Sequence, residues 1–67
     1  MNLQTQKLLH SFEELYLVEK AAHDLYEKQL MDNLSAHERE VIQGIHDDEE
    51  RHMKIVTKII NLIKSET

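Results

Sequence analysis

Met31-Asp32-Asn33-Leu34-Ser35-Ala36-His37-Glu38 is the break in a chain of 67 residues that otherwise carries one kind of periodicity. Asp32 and Asn33 favour a helix end or turn, because their short polar side chains satisfy nearby backbone groups. Ser35 and Glu38 read as a capping box, with Ser35 capping a new helix and Glu38 bonding back to it. Outward from this break the apolar residues recur at helical spacing. At about 100° per residue, Leu8, Phe12, Leu15, Ala22, Tyr26 and Leu30 fall within about 60° of Glu19. Ile42, Ile45, His52, Met53, Val56, Ile60 and Ile63 cluster in the same way around Glu49. Alternation at period two, which a half-buried strand needs, is absent.

The expectation is an all-α chain, with helix 1 over about 4–32, a turn at 33–35 and helix 2 over about 36–65. Each helix would be about 43 Å long, and so short a connection folds them back as an antiparallel hairpin. Residues 1–67 read as a single domain. Gly44 lies off the stripe and reads as a tolerated surface residue.

Composition explains why such a hairpin does not stand alone. The sequence has no cysteine and no proline, three aromatic residues (Phe12, Tyr16, Tyr26) and 40% hydrophobic residues. A lone core of this size rarely supplies more than ~3–5 kcal/mol, so small chains add a disulfide, a metal or a partner. Disulfides, thiolate metal sites and thiol nucleophiles are excluded. Eight basic against thirteen acidic residues give a net charge of -5, the wrong sign for nucleic acid. No apolar run approaches the ~20 residues of a membrane span. The N-terminus lacks signal-peptide architecture, so the expected location is cytoplasmic. Two apolar stripes cannot both be buried in one hairpin, and the simplest remedy is a C2 homodimer forming a four-helix bundle.

Three ionisable residues occupy stripe positions: Glu19 in helix 1, Glu49 and His52 in helix 2. As a string, Glu49-x-x-His52 is weak, since nine Glu and five His give roughly 0.7 such pairs by chance. Alone, Glu19 reads as a core-edge glutamate paired with a lysine. Their positions carry the signal. The midpoint of 19 and 49 is 34, inside the turn, so the two glutamates stand at one height near the middle of both helices. A dyad there gathers four carboxylates and two imidazoles, the ligand set of a di-metal carboxylate bundle. Four glutamates and two divalent ions cancel in charge, whereas ionised carboxylates left in a core are costly. The ligand set suits iron or manganese, with zinc an open alternative. Asp48 lies near enough on the helix face to orient a ligand imidazole, and Tyr26, two turns from Glu19, is placed either to hydrogen-bond a ligand carboxylate or simply to pack. His23, about 40° off the stripe centre, reads as a boundary residue, with metal contact the sharper alternative. His10/Glu14, His23/Glu27 and His46/Glu50 have i, i+4 spacing and read mainly as solvated helix pairs, His46/Glu50 having accessory metal binding as its alternative.

Glu19-x-x-Ala22-x-x-x-Tyr26 followed by Asp48-Glu49-x-x-His52 resembles one half of the ferritin-like di-iron fold, as in rubrerythrins and the short encapsulated ferritins. The resemblance spans about residues 8–63. It implies Glu19, Glu49 and His52 as iron ligands, Glu49 bridging, with Tyr26 and Asp48 around them. It also implies two iron ions per dimer and ferroxidase-like oxidation of Fe(II) by dioxygen or peroxide, serving iron handling or oxidant defence. Only half of the four-helix unit is present, so the site must form between chains of a homodimer or higher homo-oligomer. No rubredoxin module is present, which argues against rubrerythrin-type electron transfer. An encapsulin shell is the compartment the resemblance brings with it, but Ile63-Lys64-Ser65-Glu66-Thr67 shows no evident docking tail. The alternative reading is a non-enzymatic helical-bundle interaction module, with or without a structural metal.

Overall fold

The computed structural model describes residues 1–66, and Thr67, the end of the expected tail, lies outside them. Among the described residues the chain forms two α-helices, α1 (Leu3–Gln29) and α2 (Ala36–Ser65), that pack as an antiparallel hairpin. Asn2 caps α1, its side-chain oxygen accepting from the Thr5 amide at 2.8 Å. The capping box before α2 is formed as expected: Ser35 Oγ accepts from the Glu38 amide at 3.1 Å, and Glu38 Oε1 accepts from the Ser35 amide at 3.0 Å. These bonds satisfy donors that the first helical turn leaves without partners.

Helix α1 ends at Gln29, three residues before the expected boundary. The amides of Met31 and Asp32 donate to the carbonyls of Lys28 and Gln29, a tighter three-residue pattern that leaves the α-helical ladder. Arg39 of α2 then closes the turn. Its Nη1 donates to the Leu30 carbonyl at 2.6 Å and its Nη2 to the Asp32 carbonyl at 3.2 Å. A cation thus meets the negative end of the α1 dipole while supplying donors to its released carbonyls.

Packing separates two stripes on each helix. With Phe12 and Ile42 written as position a of a heptad, positions a and e form the hairpin seam. Phe12, Tyr16, Glu19, His23 and Tyr26 of α1 are half-buried there against Ile42, His46, Glu49, Met53 and Ile60 of α2, while Val56 and Ile63 are fully buried. Positions d and g lie beside a on one side of both helices and hold a second apolar set. Leu8, Leu15, Val18 and Leu25 of α1 and Val41, Ile55 and Leu62 of α2 are exposed. Leu8 and Leu15, expected in the α1 stripe, therefore face outward, and Leu9 and Tyr16 take the places beside α2.

The molecule measures 50 × 14 × 13 Å, one helix long and two helices wide. Its accessible surface of 5138 Å² exceeds the about 4450 Å² expected of a compact 8.0 kDa monomer. Leu8, Leu15, Val18, Leu25, Val41, Ile55 and Leu62 of the open d/g stripe are each at least 40% exposed. Among the described residues no helix is long and apolar enough to cross a membrane.

Candidate metal centre

Glu19 and Glu49 both fall at a positions, on facing helices, and His52 falls at a d position one turn after Glu49. An oxygen of each carboxylate and a nitrogen of His52 lie within 4.8 Å of one another, so the equal height read from the turn midpoint is realised. His52 Nδ1 stands 3.7 Å from Glu19 Oε2 across the helix pair. The Glu19 side chain is 18% exposed and that of His52 52%, so the cluster runs from the seam out onto the open apolar stripe.

The electrostatics are those of a site short of positive charge. Glu19 Oε2 is buried and has no hydrogen-bond partner. The Glu49 carboxyl is held above the ordinary carboxylate range. The largest cause is its neighbour Glu19, which serves as hydrogen-bond partner to the protonated form; partial burial and the Glu19 charge add to it, and His52 opposes. Two carboxylates this close cannot both ionise cheaply without a cation. One imidazole with two carboxylates is also a donor set for a divalent transition metal.

The other expected site residues are placed as follows. Tyr26 is half-buried at the next but one turn of α1, in the same seam. Asp48 is an exposed residue whose carboxylate pairs with Arg51, so that guanidinium, rather than the His52 ring, is its recorded partner. His23 lies on the e side of the seam, away from the open stripe and from His52. There it stacks on His46, with ring centroids 4.3 Å apart and planes tilted by 33°.

This second histidine grouping departs from the solvated pairs expected. His10 and Glu14 do form an exposed pair, at 3.0 Å. The side chains of His23 and His46, in contrast, are only 14% and 12% exposed. Glu27 joins them, its Oε1 3.9 Å from His46 Nε2, and the three present one ligand atom each within 4.8 Å of one another. A usable signal was present: 23 and 46 share the turn midpoint of 19 and 49 to within a residue. Compared with protein-family models, curated proteins and solved structures, the chain gave no match, so the reading of both clusters rests on the chain's own residues.

Proposed function

We propose that the chain dimerises through its open d/g stripe into a four-helix bundle. Its core holds two iron ions among Glu19, Glu49 and His52 of both copies and oxidises Fe(II) with dioxygen or peroxide. The observation that carries this reading is the partly buried Glu19/Glu49 pair, with an unpartnered carboxylate oxygen, beside an imidazole on the open side of the hairpin. A second copy packed on that side brings an equal set of donors to it. Four carboxylates then balance two divalent ions, and a bound cation opposes the repulsion between Glu19 and Glu49 that raises the Glu49 carboxyl. Bound iron would supply the redox chemistry. The chain's residues bind and orient Fe(II), neutralise its charge and exclude bulk water with the Leu15, Val18 and Ile55 side chains around the site.

Anaerobic Fe(II) titration followed by exposure to oxygen tests the proposal. The expected result is two irons per dimer and rapid oxidation, both lost in Glu49→Ala and His52→Ala. Iron binding unchanged in both variants would sink it. The continuous apolar stripe also suits a non-enzymatic interaction module. For that reading, melting with a chelator and with Fe(II) should give the same temperature, whereas metal that binds only the folded dimer raises it.

A further inference from the structure

His23 and His46 come from different helices and meet at e positions, on the side of the seam away from the open stripe. Each ring has its Nδ1 facing the aspartate next in sequence: Asp24 Oδ1 at 3.3 Å and Asp47 Oδ1 at 3.2 Å. A carboxylate only accepts hydrogen bonds, so in the neutral rings these contacts place the proton on Nδ1 and the lone pair on Nε2. Both Nε2 atoms are buried and neither has a hydrogen-bond partner. Buried polar atoms without partners are uncommon and costly, and two in one stacked pair call for an occupant. Two lone pairs cannot satisfy each other. Glu27 adds a carboxylate 3.9 Å from His46 Nε2, on the solvent side.

We infer that His23, His46 and Glu27 form a second metal site, specific for a borderline divalent transition ion such as zinc. The chemistry differs from that of the first cluster. Two imidazoles and one carboxylate are a zinc donor set that leaves a fourth position for water, whereas the carboxylate-rich cluster suits iron. Donors within 4.8 Å of one another need to close by little more than 1 Å to surround one ion at about 2.0–2.2 Å. Asp24 and Asp47 supply the partners behind the rings that zinc-bound histidines normally have. The ion would join α1 to α2 within each hairpin, so the site needs neither a partner chain nor iron.

Zinc titration of the metal-free protein by calorimetry tests this inference, using wild type, His46→Asn, Glu27→Gln and Glu49→Gln. The expected result is one zinc per chain that is lost in His46→Asn, weakened roughly tenfold or more in Glu27→Gln, and retained in Glu49→Gln. Glu27 is exposed, so its substitution reports on the site even if His46→Asn does not fold. Zinc binding unchanged in both His46→Asn and Glu27→Gln, or abolished by Glu49→Gln, overturns the inference. A wild type that binds this zinc but takes up no iron would defeat the dimeric di-iron reading alone.

Discussion

Replacing Ile55 with alanine should weaken association of two hairpins about 50-fold. Ile55 sits at a g position and is 50% exposed in the single hairpin, so about half of its surface remains available to a partner. The substitution removes three carbons, worth ~0.8 kcal/mol each when fully buried, and half of that is about 1.2 kcal/mol. A two-fold dimer contains the change twice, so about 2.4 kcal/mol is lost, and each 1.4 kcal/mol is a factor of ten in Kd. Leu17→Ala is the matched control. Leu17 is 63% exposed, but it lies at an f position on the far side of α1, and its loss should leave Kd unchanged. Sedimentation equilibrium over a concentration series reads both. Equal dissociation constants for the two variants, or a wild type monomeric at every concentration, would refute the assignment of the d/g stripe as the interface.

Other outcomes follow from the caps, the carboxylate pair and the helix interior. Ser35→Ala removes the capping-box acceptor and should cost about 1 kcal/mol, or roughly 5 °C in a thermal melt. The Ser35 amide, and then its hydroxyl, hold the Glu38 carboxyl below its usual 4.5, so the Glu38 carboxylate's own share of the capping box is present above pH 4.5 and disappears as pH falls through the lowered value. Glu49 behaves in the opposite sense. Its carboxyl is raised above 4.5, so the metal-free fold binds the proton more tightly than the unfolded chain and loses stability as pH rises from 4.5 through the raised value. Glu49→Gln in chelator should flatten that fall and raise the melting temperature at neutral pH. Gly44 is in the interior of α2, and a methyl group there would meet nothing within 4 Å. Gly44→Ala should therefore stabilise the hairpin by about 1 kcal/mol in a denaturant titration.

The hairpin was legible because its signals are local. Ser35 and Glu38 state a helix start within four residues, and the midpoint of Glu19 and Glu49 converts turn position into cross-helix height. What stayed hidden is the division of labour between seams. Leu8 and Leu15 are as apolar as Leu9 and Tyr16, and periodicity alone does not say which apolar residue faces a helix of the same chain. The stripe read from sequence is centred on Glu19 and Glu49, takes in d residues such as Leu15, and leaves the e residues His23 and His46 about 40° and 60° to one side. For that reason His23 and His46 look like solvated flank residues, although they are mostly buried and stacked. The end of α1 was equally obscure. Its boundary depends on Arg39, nine residues beyond Leu30 in sequence, reaching back to two carbonyls, and no local pattern announces such a contact. Asp48 shows the same limit: proximity to His52 on the helical wheel does not decide between the imidazole and Arg51 as its partner.

The central claim is that one metal centre is shared between two copies of the hairpin, and anomalous scattering at the iron edge tests it most directly. Crystals grown from iron-loaded protein should show two peaks about 3.5–4 Å apart, lying between two chains and each approached by Glu19, Glu49 or His52 side chains from both. Absence of peaks from that position, or iron held by the residues of a single chain, would contradict the account.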